Sequence, residues 1–310
     1  MSPRQFVALV LAVAVVAGGL VVWRSPRAGV PELVWGNKGV RDGEFSRPRA
    51  VAFDTAGRLF VVDFTARVQM FDRAGKHLGL TFTPPDFRNG RPSGLGIDNR
   101  GRLMVADSHY HCVRVYEVAG DPPTATEVLK LGGGAGSRPG QFGYVSDVVQ
   151  DDDGFYYLSE FGETDRITKL APDGSFVTCW GQNGVAPGEF NRVRALALGP
   201  DGLLYCVDAC NHRVQVFERD GTFVRQFGEP GFGPGQLSYP YDLCFTPAGE
   251  LAVVERGNHR VQRFTPAGEP RGVWGGPGVL ADPWGLVYDP RDGRLFVADT
   301  EHHRMVRVRW

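Results

Sequence analysis

The chain has 310 residues, with 34 Lys and Arg against 35 Asp and Glu, for a formal net charge of −1. That balance excludes a global electrostatic field for nucleic acid or anionic lipid. Gly 42 and Pro 22 are high together while 42% of the residues are hydrophobic. The pairing argues against a disordered chain and for an all-β protein rich in tight turns.

The N-terminal segment is set apart from everything after it. Phe6 to Trp23 is an uncharged run of 18 residues, with Arg4 before it and Arg24 and Arg27 after it. As a helix such a run spans about 27 Å, enough for a bilayer core. The expectation is a membrane anchor over residues 1–27, with one transmembrane helix at 6–23. A cleaved signal peptide is the competing reading, with Val15-Val16-Ala17 as its cleavage site. The apolar run continues through Leu20 to Trp23, which favours the anchor. The short tail ahead of the span directs the large domain out of the cytoplasm, to a periplasmic location.

From residue 31 onward the chain is periodic. An acidic residue ends a short apolar run at Asp63, Asp107, Glu160, Asp208, Glu255 and Asp299, at spacings of 44 to 53 residues. Each unit reads as four strands. In the fourth unit they are VRALALG (193–199), LLYCVD (203–208), RVQVFE (213–218) and FVRQFG (223–228). Turns such as DTAGR, DNRGR and GPDGL carry the glycine that a hairpin needs for positive φ. Four-stranded units at this period are propeller blades. The last unit has WGLVYD, RLFVAD and RMVRVR, three strands only. PELVWG at 31–36 reads like the outer strands PRGVWG (270–275) and FVTCWG (176–181). It is therefore expected to complete the last blade. One domain over 31–310 follows, a six-bladed β-propeller.

The segments GEFNRVRALALGPDGLLYCVDACNHRVQVFERDGTFVRQFG (188–228) and GQLSYPYDLCFTPAGELAVVERGNHRVQRFTPAGEPRGVWG (235–275) resemble NHL repeats along their whole length. The resemblance is strong for blades 4 to 6 and weaker for blades 1 to 3. Blade 1 has DFTARV without the Asn-His pair, blade 2 carries an extra DPPTAT, and blade 3 has EFGETDRI. The amidating lyases that share this repeat resemble the chain in blade layout, and their zinc is held by histidines at the start of the innermost strand. The matching positions here are Arg49, Ser93, Ser146, Arg194, Tyr241 and Trp284. None is histidine, so no zinc or other cofactor is expected. Asp147 and Asp242 are too few for the calcium cage of lactonases of the six-bladed type.

Histidines 109, 111, 212, 259, 302 and 303 fall in turns of different blades, roughly 10–15 Å apart, which is too far for shared zinc ligation. The expectation is that these turns are capped locally, as by Asp208 and Asn211. The five cysteines lack framework spacing and read as free thiols. No nucleophile elbow, phosphate loop or dinucleotide fingerprint occurs. Charge summed over the long-loop face is near neutral, so nucleic acid is not an expected partner.

What remains is the ring Arg49, Ser93, Ser146, Arg194, Tyr241 and Trp284 around the channel mouth, rich in residue types common at binding hot spots. The competing reading pairs Arg194 with Asp147 and Asp242 and packs Trp284 into the channel. The function expected is a membrane-tethered, non-catalytic scaffold that binds a protein, peptide or glycan there. A propeller enzyme acting in the channel is the alternative.

Overall fold

The computed structural model describes residues 13–16, 19–22, 30–85, 91–162 and 164–310. Six four-stranded antiparallel sheets are arranged as blades, their strands a to d running outward from the axis. Blade 4 is representative, with strands Val193–Leu198, Leu204–Asp208, Arg213–Phe217 and Phe223–Phe227. These agree within a residue with the strands read from sequence. The innermost strands of the other blades are Pro48–Phe53, Gly94–Ile97, Tyr144–Gln150, Pro240–Phe245 and Leu286–Asp289. The extra residues of blade 2 lie at the tip of a long hairpin between Cys112–Ala119 and Thr124–Gly132.

The ring closes as expected. Leu33–Trp35 pairs antiparallel with Arg304–Arg309 and supplies the outer strand of blade 6. The Trp35 ring lies 5.9 Å from Phe296 of blade 6 and 6.5 Å from Phe71 of blade 1, so it ties the last blade to the first.

Among the described residues the apolar core is divided rather than central. Six apolar clusters each join two neighbouring sheets, as Val207, Val214 and Val216 of blade 4 meet Leu243, Leu251 and Val253 of blade 5. This is why strand b is buried along nearly its whole length: each blade is covered on both faces by its neighbours. The d–a loops contribute a further plug through Phe45, Phe142, Phe190, Leu237 and Leu280, all at most 2% exposed. The glycine closing strand d makes room for that plug. At Gly181 φ is +98°, and a Cβ there would lie 2.5 Å from the Phe190 ring, so this position requires glycine.

The expected transmembrane helix over 6–23 lies largely outside the described residues. Its described parts, Val13–Val16 and Gly19–Val22, pair as antiparallel strands and so are not helical. They are rich in valine and the second opens on Gly19, both unfavourable to helix. Among the described residues no helix is long and apolar enough to cross a membrane.

Candidate functional site

The acidic residue ending strand b organises each blade's long-loop end. Asp208 is fully buried. Its carboxylate accepts from the backbone N–H of Asn191 in the d–a loop (2.7 Å), from Arg213 Nε (2.8 Å), Asn211 Nδ2 (2.9 Å) and Gln215 Nε2 (3.1 Å). Arg213 in turn donates to the carbonyls of Val185, Ala186 and Glu189. The same arrangement recurs at Asp63 with Arg67, Glu160 with Arg166, Glu255 with Arg260 and Asp299 with Arg304. The expected local cap at Asp208 and Asn211 is replaced by a tie to the d–a loop: Asp208 makes no side-chain bond to the backbone of its own turn, and Asn211 Nδ2 donates to Asp208 and to the Gly184 carbonyl.

Several turn histidines do something the sequence reading did not assign. His212 Nδ1 accepts from Tyr239 N–H (3.1 Å), His259 Nδ1 from Asp282 N–H (3.0 Å) and His303 Nδ1 from Arg47 N–H (3.1 Å). Each bond crosses to the next blade. In blade 3, which lacks the histidine, Asp165 Oδ1 accepts from Arg192 N–H at 2.8 Å. His212, His259 and His303 have φ near +55°, a left-handed conformation that histidine tolerates better than most residues. They fasten the blades to one another. Among the described residues no three metal-ligating side chains come together.

The six ring positions all line the channel, a cavity of about 400 Å³ bounded by the innermost strand of every blade. They divide into two kinds. Ser93 is occupied, its hydroxyl bonded to Ser108 Oγ (2.7 Å) and the Ser146 carbonyl (3.0 Å). Ser146 Oγ is buried with no hydrogen-bond partner. The other four converge. The guanidinium carbon of Arg49 lies 4.7 Å from the Trp284 ring centre and 4.5 Å from that of Phe64. That of Arg194 lies 4.8 Å from Trp284 and 4.8 Å from Tyr241. Tyr241 and Trp284 meet edge to face at 4.9 Å. Side chains from blades 1, 4, 5 and 6 thus form one cluster held by cation–π contacts.

Arg194 makes no ion pair with Asp147 or Asp242. Those carboxylates bond instead to backbone across the blade interface, Asp147 to Leu196 N–H (3.0 Å) and Asp242 to Leu286 N–H (2.9 Å). Burial pushes the Asp147 carboxyl up to about 7. Burial and then the Asp147 charge push Asp242 up as well. The arginines move the opposite way, as expected for cations out of water. Burial, reinforced by Arg194, Arg91 and Arg47, lowers Arg49 to about 9. Burial lowers Arg194 to about 10.

Above the channel a depression of about 280 Å³ adds Arg47, Arg192 and Arg256 to Arg49. Arg47 pairs with Glu301 (3.2 Å) and Arg256 with Asp282 (2.7 Å). Arg49, Arg192 and Arg194 have no ion pair among the described residues. The near-neutral sum over this face therefore conceals a positive mouth. The register repeat Arg47-Pro48-Arg49 in blade 1 and Arg192-Val193-Arg194 in blade 4 was the signal that could have found it.

Four segments, residues 89–116, 190–217, 237–264 and 280–307, match the family described as NHL repeat. They fall on blades 2, 4, 5 and 6. NHL repeat-containing protein 3 of Mus musculus is 32% identical over 113 residues, 35% of this chain and 32% of that protein. Peptidylglycine alpha-amidating monooxygenase of Rattus norvegicus is 33% identical over 136 residues, 41% of this chain and 14% of that protein. The chain thus matches a third or less of the length of these curated relatives. The solved structure of XC5397 from Xanthomonas campestris, a gluconolactonase, superposes with a TM-score of 0.64 at 18% identity, over 84% of this chain and 86% of that one. That likeness concerns the fold. Repeat match and blade geometry agree: the chain carries NHL repeats, built into a six-bladed β-propeller.

Proposed function

We propose that the chain is a non-catalytic binding propeller that takes a protein, peptide or glycan ligand on its long-loop face, at the channel mouth. The observation that supports this reading is the convergence of Arg49, Arg194, Tyr241 and Trp284 from four blades into one cluster. The frame around them repeats from blade to blade and has structural duties, whereas this position varies: Arg in blades 1 and 4, Ser in blades 2 and 3, Tyr in blade 5 and Trp in blade 6. Arg, Tyr and Trp are the residues that most often carry binding energy. The proposal includes an extracytoplasmic location and a membrane tether through residues 6–23, which rest on the uncharged run there.

A photo-crosslinking residue placed at Tyr241 in the full chain, in its native membrane, tests the reading. It should give a discrete crosslinked species that the same residue at Glu250, on the short-turn face, does not. Crosslinking at Glu250 alone would overturn the site. The tether predicts that the protein resists carbonate extraction and keeps residue 1; a soluble form beginning near Gly18 would refute it.

One observation favours a second reading, an enzyme acting in the channel. Asp147 and Asp242 face the lumen from blades 3 and 5 with carboxyls raised toward neutrality, as acid–base catalysts often are. A turnover abolished by Asp147→Asn or Asp242→Asn, with folding intact, would select it.

A further inference from the structure

Arg49 is 8% exposed and Arg194 is 5% exposed. Among the described residues neither guanidinium donates a hydrogen bond to any protein atom, and neither has an ion pair. Arg49 Nε is fully buried and unpartnered. Buried cations are ordinarily paired, because removing charge from water is costly and cation–π contact returns only part of it. Elsewhere in this protein the rule holds. Arg67, Arg114, Arg166, Arg213, Arg260 and Arg304 each donate to a buried carboxylate.

The mouth is the exception, and it gathers further positive charge. Arg192 lies beside Arg194 and Arg91 stacks on the Phe64 ring at 4.3 Å, while Arg49 stacks on the same ring. The channel carboxylates Asp147 and Asp242 act on Arg194 only through space, since each is hydrogen-bonded to a backbone N–H of the next blade and forms no ion pair with it. Like charges held this close favour a contacting counter-charge, and among the described residues no carboxylate lies within ion-pair distance of Arg49, Arg192 or Arg194.

We propose that the channel mouth is a binding site for an oxyanion group, carboxylate or phosphate, of the peptide or glycan ligand, whose neighbouring atoms enter the channel. The planar guanidiniums of Arg49 and Arg194 offer forks of N–H donors suited to either group. The buried, unpartnered Ser146 hydroxyl is a further donor on the lumen wall. The cavity of about 400 Å³ lies within the range of small-molecule sites. This inference rests on the reading that the mouth is the ligand site, and it names the chemistry that site accepts.

The test is calorimetric titration of the full chain with inorganic phosphate and, separately, acetate, in low-salt buffer. Tryptophan fluorescence serves as a second readout, because an anion that draws either guanidinium toward itself alters the surroundings of Trp284. Saturable binding of one or both is expected. Arg49→Gln and Arg194→Gln should each weaken it about tenfold or more, the loss of one charge-assisted contact. Arg100→Gln, far from the mouth, should leave it unchanged. Where a Gln variant melts well below the parent, Arg→Lys at the same position keeps the charge, loses the fork and should still weaken binding. Absence of saturable binding to the full chain overturns the proposal, as does binding indifferent to both arginines. Ligand crosslinking at Tyr241 without anion binding removes this inference and leaves the binding reading intact. Anion binding with crosslinking only at Glu250 does the reverse.

Discussion

At Asp208 a carboxylate without solvent exposure receives donors from a loop backbone, an arginine, an asparagine and a glutamine. Asp208→Ala leaves Arg213 charged, buried and without its carboxylate, so urea unfolding should show a loss of about 3–5 kcal/mol. A loss below about 1 kcal/mol would mean that the hub is not an energetic unit. The channel carboxyls invite a pH experiment instead. Asp147 is raised from an ordinary carboxyl value near 3.9 to about 7 by burial, so the folded state favours its neutral form. Its contribution is therefore fully present below the unfolded value and is lost as pH rises through about 7. Asp147→Asn is neutral at every pH and keeps an oxygen for the Leu196 N–H. Relative to this variant, the parent should lose melting temperature from about pH 4 to about pH 7. A constant difference across that range would show that Asp147 is not raised.

The blade is the scale at which the sequence was most legible. Acidic residues at a near-constant spacing, with Gly turns between apolar runs, located the strands of blade 4 to within a residue, because each blade solves the same packing problem. The outer strand at Leu33–Trp35 was legible for the same reason: its Trp-Gly ending copies the outer strands of blades 3 and 5. Deleting residues 31–36 strips three backbone pairings from Arg304–Arg309 and removes Trp35 from between Phe71 and Phe296. The truncated protein should melt far lower or aggregate through the exposed edge, whereas deleting residues 1–27 should leave melting unchanged. Equal melting of the two truncations, read by circular dichroism, would refute the role given to this strand. The histidines were less legible. Their partners sit in the following blade, and the bond goes to a backbone N–H, which carries no residue signature.

At the scale of the whole ring, position relative to the axis decides what a residue meets. Arg49 and Trp284 are distant in sequence yet share one contact, since blades 1 and 6 are neighbours only after closure. The six mouth positions could be aligned from the repeats, but whether they point apart or together could not. Charge summed along loops failed for a related reason. Acidic residues at the ends of strand b are buried inside hubs, each facing its own arginine, so they do not offset the arginines at the mouth. Closure by Leu33–Trp35 also has a consequence in time. The ribosome makes this strand first of the propeller and its partner Arg304–Arg309 last. During synthesis the strand must wait, unpaired, while five blades assemble. Joining the two ends is the contact of greatest sequence separation in the fold, the kind that forms slowly. Trp284 is flanked on one side by blade 1, so the mouth is complete only when that final pairing has formed. A chain arrested before its last strand would hold most of its blades and no finished site.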